Sequence, residues 1–191
     1  MQKPNSLRAH LTAALPELRR DPHRLIVLIT SGKVKSTASG SLSWRYDYTL
    51  RVLITDWAGH VDAVMAPLMV WLQTNQWELL SNNDKNGIRF EGEYLSTTTL
   101  DLLIELDLSE TVLVRERVET PSTPGTPGTP GTPGAPGEPK EMNLELRHKK
   151  EVPGPLDIVG PQSERWSFWL KDELLASWDY DPRRPLPATQ E

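Results

Sequence analysis

The sequence predicts an α+β fold, a mainly antiparallel sheet with two helices on one face, followed by a Pro/Gly linker and a Trp-rich hairpin. Three observations predict it. From Trp44 to Ile54 the chain alternates: Trp44, Tyr46, Tyr48, Leu50, Val52 and Ile54 fall on one side, and Arg45, Asp47, Thr49 and Arg51 on the other. That is the period of a half-buried strand. The same period returns where Leu100, Leu102, Ile104, Leu106 and Leu108 alternate with Asp101, Glu105 and Asp107. Between the two, Val61, Val64, Met65, Leu68 and Leu72 recur at three and four, which is a helical stripe. Strands with one polar face need cover on the other face only, and helices supply it.

The remaining elements follow in chain order. Leu7, Leu11, Leu15 and Leu18 form a helical stripe over residues 6–20, with Asn5 or Ser6 as the expected N-cap. Pro16 should bend or restart this helix, because it lacks a backbone donor. Arg19 and Arg20 sit where the helix dipole favours cations. LIVLIT, residues 25–30, reads as a strand buried on both faces. SGKVKSTASGS, residues 31–41, reads as a mobile basic loop carrying Lys33 and Lys35. Residues 56–59 break the strand that precedes the 61–75 helix, and Pro67 should kink that helix. NQWELL adds a helical turn before the polar break SNNDKNG. IRFEGEYL is a strand whose alternation Gly92 shifts, and residues 112–118 read as a further edge segment. The expected core spans residues 1–119.

TPGTPGTPGTPGAPGEP, residues 123–139, lies in a linker expected over 120–140. Gly125, Gly128, Gly131, Gly134 and Gly137 satisfy the collagen period, but so few triplets make too short a triple helix to hold unaided. At about 3.1 Å per residue a Pro-rich segment of this length spans roughly 50 Å, so it reads as a spacer. The extension 141–191 shows no core pattern before ERWSFWLKDELLASWDY. There Trp166, Phe168 and Leu170 alternate toward Lys171-Asp172, which suggests a hairpin at about 165–180. Trp166, Trp169 or Leu170, Leu174 and Trp178 recur at three and four and also fit a helix. The aromatic content favours the hairpin.

Composition narrows the chemistry. The net charge of −5 in 191 residues argues against wholesale binding of nucleic acid. Cysteine is absent, which excludes disulfides, thiol catalysis and thiolate metal sites. The N-terminal stretch reads as an amphipathic helix and not as a signal peptide. No segment approaches the roughly 20 apolar residues that cross a bilayer. ITSGKVKST follows a strand but lacks the glycine spacing of a phosphate-binding loop. Asp101, Glu105 and Asp107 read as the solvated face of a strand, and His10, His23, His60 and His148 as scattered surface residues. Nothing resembles a nucleophile elbow. No enzyme, cofactor or metal is expected.

Trp44, Trp71 and Trp77 read as core or rim. Trp166, Trp169 and Trp178 lie on a hairpin too small to bury them, so they must pack on the main domain or on a partner. Together with Lys33 and Lys35 they are the candidate partner-binding residues.

Three stretches carry a family resemblance: KPNSLRAHLTAALPELRRDPHRL, SLSWRYDYTLRVLITDWAGHVDAVMAPLMVWLQTNQWELL and KNGIRFEGEYLSTTTLDLLIELDLSETVLV. Over about residues 1–118 the chain resembles the tail completion protein R family of contractile-tailed phages and related prophages, and WSFWLKDELLASW is similar to a terminal segment of that family. The resemblance implies a structural protein that caps the head-proximal end of the tail tube and prepares it for head joining. Implied partners are further copies of itself in a ring, with six as the suggested number, tail tube or sheath proteins, and head connector proteins. It implies assembly in the host bacterial cytoplasm, then residence in a phage or tail-like particle; from hydropathy and charge, no membrane and no direct nucleic-acid binding are expected. These stretches are structural and assign no catalytic residue. The rival reading is an adaptor that presents the Trp-rich hairpin on a tether.

Overall fold

The computed structural model describes residues 1–36, 42–81, 86–116, 144–149, 151 and 165–179. The elements run α1 (Lys3–Ala14), α2 (Pro16–Arg20), a 3-10 turn, β1 (Leu25–Ser36), β2 (Trp44–Trp57), α3 (Val61–Asn75) and α4 (Trp77–Ser81). They continue with β3 (Ile88–Tyr94), β4 (Leu100–Glu116), β5 (Leu144–His148), β6 (Arg165–Leu170) and β7 (Glu173–Asp179). The fold is α+β. β1, β2, β4 and β3 lie side by side in that order, all antiparallel, and β5 pairs with the far end of β4.

The alternation decides which face is buried. Tyr48, Leu50, Val52 and Ile54 of β2 and Leu102, Ile104, Leu106 and Leu108 of β4 point to the helical side and join one core with Leu7, Leu11, Leu18, Leu68, Trp71 and Leu72. Trp71 Nε1 donates to Ser6 Oγ at 3.1 Å. Ser6 is therefore inside α1 rather than its N-cap: the helix begins three residues earlier, with Pro4 in its first turn, where a missing N–H costs nothing. Pro16 restarts the helix as α2, and its position opens the new turn.

Strand β1 departs from expectation twice. It does not stop at Thr30. It continues through Ser36, and Lys33 pairs with Asp47 and Lys35 with Arg45, so these lysines stand on a strand and not on a mobile loop. Residues 37–41 lie outside the described residues. Gly32 looks like a loop residue but faces Tyr48, whose Cβ would lie 3.0 Å from any Cβ at position 32. A side chain at position 32 would have to push Tyr48 aside by a few tenths of an ångström, so the close approach favours glycine there. Second, β1 is an edge strand with one face open. Leu25 is buried and Val27 half-buried, while Ile26, Leu28 and Ile29 are exposed.

β4 is a single strand through residue 116 and not two segments. Its edge away from β2 is covered by a succession of partners: β3 from Leu100 to Leu106, the Gly87 carbonyl at Asp107 N–H (2.9 Å), the Gln76 side chain at Ser109 N–H (3.1 Å), Lys149 N–H at the Thr111 carbonyl (2.8 Å), then β5. β5 falls where the sequence shows no core pattern, because only Leu144 and Leu146 alternate and neither is buried. β6 and β7 form the hairpin. Its turn places Lys171 at φ 53°, and Tyr180 lies outside the described residues.

Candidate interaction surfaces

The face of the sheet away from the helices carries a ladder of charges. Arg51 Nη2 donates to Glu105 at 2.7 Å, and Arg89 reaches Glu105 at 3.4 Å and Asp107 at 2.8 Å. Lys35 and Arg45 both hold Asp47, at 2.6 and 2.7 Å. These donors keep three carboxyls below their ordinary range: Glu105 chiefly through Arg51, Asp107 through Arg89 and Asp47 through Lys35. Asp101 accepts from Asp56 N–H. Asp47, Asp101, Glu105 and Asp107 are thus each engaged with a donor, while Glu91 and Glu93 of β3 stand exposed on the same face. Lys33, Lys35, Arg45, Asp47, Glu78 and Asp107 line an open cleft of about 490 Å³ between the end of β1 and α4. Among the described residues, no group of three His, Asp or Glu side chains is placed to hold a metal ion.

On the helical side the tryptophans part company. Trp178 is 4 % exposed and Ala176 is buried beside it, with β7 against α1 and α3. Phe168 and Trp166 stack on Trp178 at 5.6 and 6.3 Å between ring centroids. His10 meets it edge-on at 5.5 Å. Trp169 points away and is 60 % exposed, with Leu174 also open to solvent. So Trp166 and Trp178 pack on this chain's own helices, and Trp169 remains as the exposed ring of the three.

His10 is not a surface residue. It is buried under the hairpin, where its Nε2–H donates to the Pro67 carbonyl at 2.9 Å. The N–H that Pro67 lacks would have bonded the carbonyl four residues earlier, whereas the Pro67 carbonyl has two lone pairs and can accept from the imidazole. Burial pushes the His10 pKa down to about 4, against a smaller opposing effect of that hydrogen bond.

A buried polar knot joins the start of α1 to β4. The Glu110 carboxylate accepts from Gln2 N–H at 2.7 Å and from Lys3 N–H at 3.3 Å, neutralising the first amides of α1 with a negative charge. Tyr48 OH donates to it at 2.5 Å, and burial followed by that carboxylate raises the hydroxyl's pKa. His148 Nδ1 lies 3.2 Å away, without the alignment of a hydrogen bond. The Lys3 ammonium donates to Gln76 Oε1 (2.6 Å), the Ser109 carbonyl (2.7 Å) and Glu151 Oε1 (2.9 Å). Burial lowers the Lys3 pKa, while Glu151 and Glu110 oppose the shift. Sequence reasoning missed this knot, although one signal was available. In β4 the even positions face inward, so Glu110 is an acid between Leu108 and Val112 on the buried side.

No helix among the described residues is long and apolar enough to cross a membrane. No solved structure matches the chain. The chain is 29 % identical over 181 residues to tail completion protein R of Escherichia phage P2, across 94 % of this chain and 99 % of that protein. The family described as P2 phage tail completion protein R matches residues 1–125. With that match over most of its length, the chain belongs to the P2 phage tail completion protein R family.

Proposed function

We propose that the chain is a structural subunit that completes a phage tail, several copies forming a ring that caps the head-proximal end of the tail tube and readies it for the head. Family membership supports a tail-completion role. The capping reading rests on one observation: β1 is an edge strand, with no strand beside its outer side among the described residues and only its first residue, Leu25, bonded by Arg8 and Pro22. Ile26, Leu28 and Ile29 are exposed along it, and Lys33 and Lys35 stand at its far end. An open edge of that kind is a template for another chain. The opposite face is already sealed by the chain's own helices and hairpin, so such a subunit can extend one interface and withhold another.

On this reading residues 1–119 are the ring-forming body, 120–140 a spacer, and 141–191 an extension whose hairpin is docked. The docking of Trp178 weighs against a tethered tip that presents this ring to a ligand; Trp169, Lys33 and Lys35 are the proposed partner contacts. Negative-stain microscopy of lysates from a strain without the gene tests the role. Tails of irregular length, or loose heads beside unattached tails, are expected. Complete particles at normal yield would reject it.

A further inference from the structure

The β4–β5 pairing contains a mismatch. Glu116 and Leu144 stand directly opposite each other, a separation that a hairpin turn of about two to five residues closes. The chain instead spends roughly 27 residues, 117–143, including the Thr-Pro-Gly spacer. Effective concentration falls as about the −3/2 power of connection length, so this connection favours pairing in its own chain roughly thirtyfold less than a three-residue turn. At about 3.1 Å per residue its reach is roughly 80 Å, ample to cross to a neighbouring molecule. β5 also buries little where it lies: Leu144 is 44 % and Leu146 59 % exposed, close to Val114 on the same face. What defines its seat is polar and lies on the body: the Thr111 carbonyl for Lys149 N–H, Glu110 beside His148, and the Lys3 ammonium for Glu151.

We propose that in the assembled ring β5, with Lys149 and Glu151, is exchanged between copies, so that the C-terminal extension of one chain completes the β4 edge of the next. The seat uses backbone register and the side chains of Lys3 and Glu110, which every copy offers identically, and exchange of an identical element is a low-cost route to association. Passed head to tail, the exchange closes a ring. The proposal rests on the ring reading given above and names its partner, a second copy of this chain.

The chain has no cysteine, which makes the test clean. The Lys149-to-Thr111 bond sets the register so that Val114 and Leu146 form a non-hydrogen-bonded pair, the closer kind and suited to a disulfide. Full-length V114C and L146C chains are co-expressed, purified, checked for an unchanged urea midpoint under reduction, sized by light scattering, then oxidised. A covalent dimer holding one of each chain is expected. The double variant is expected to give a ladder of covalent multimers on a denaturing gel. A multi-subunit particle whose double variant forms only intrachain bonds would overturn the exchange and leave the ring standing. A monomer with only intrachain bonds would overturn both. Replacing residues 117–143 with a turn of about four residues gives a second readout. The shortened chain should keep or raise its urea midpoint, because the shorter connection favours pairing in its own chain, and lose at least tenfold in self-association; unchanged association would count against exchange.

Discussion

The two faces of one sheet do different work. On the helical face Leu50, Val52, Ile54, Leu102, Ile104 and Leu106 are fully buried under α1, α3 and the hairpin. On the other face the same two strands carry Arg51, Glu105, Thr49 and Asp107, held in exposed ion pairs and hydrogen bonds that water can replace. Stability belongs to the first face, where truncation leaves a cavity. The second face and the β1 edge beside it are free to be spent on contacts with other chains. The difference teaches that a chain built to be incorporated can concentrate its folding energy on one side of a two-layer body.

The comparison is broken most directly on the buried side. Trp71→Ala should lower unfolding free energy by about 3–5 kcal/mol in urea titration, since the ring is fully enclosed and its Nε1 leaves Ser6 without a partner. Glu110→Leu should cost about 2–3 kcal/mol, because two helix amides and the Tyr48 hydroxyl lose their acceptor in a dry place. His10 supplies a pH test. Its folded pKa is depressed below that of the unfolded chain, so the unfolded state binds the extra proton. Stability should hold above about pH 6.5, fall by roughly 3 kcal/mol toward pH 4, then level off for this group. Proteolysis at the hairpin should show the loss first, and His10→Leu should flatten it. Asp47 and Asp107 add their own decline only lower, since the stability they lend is lost as pH falls through their depressed values. The smallest effect belongs to the open face. Arg89→Ala should shift stability by less than about 1 kcal/mol, because solvent screens both of its pairs.

That contrast also explains what could be read from the sequence. β2, α3 and the first half of β4 are legible because one polar face and one apolar face write a clean period, and the hairpin is legible because its aromatics flank a tight turn. The second half of β1 is not, because an edge strand at the open face needs neither face buried and admits Gly32, Lys33 and Lys35. β5 is short, and its pairing with β4 depends on register across a long connection, which local pattern does not encode. The polar knot brings Lys3, Gln76, Glu110 and Glu151 together from four distant parts of the chain. Only the inward parity of Glu110 announced it. For the partner surface, the sequence pointed to the lysines and tryptophans, whereas the exposed Ile26 and Leu28 became visible only once β1 stood at the sheet edge.

The central claim is that folding resides on the helical face and assembly on the open edge. The most direct measurement is complementation of a strain lacking the gene with an Ile26→Glu/Leu28→Glu chain, scored by microscopy of the particles beside a urea titration of the purified protein. The account predicts an unfolding midpoint close to that of the unsubstituted chain together with incomplete tails. Normal particles from this variant would contradict it.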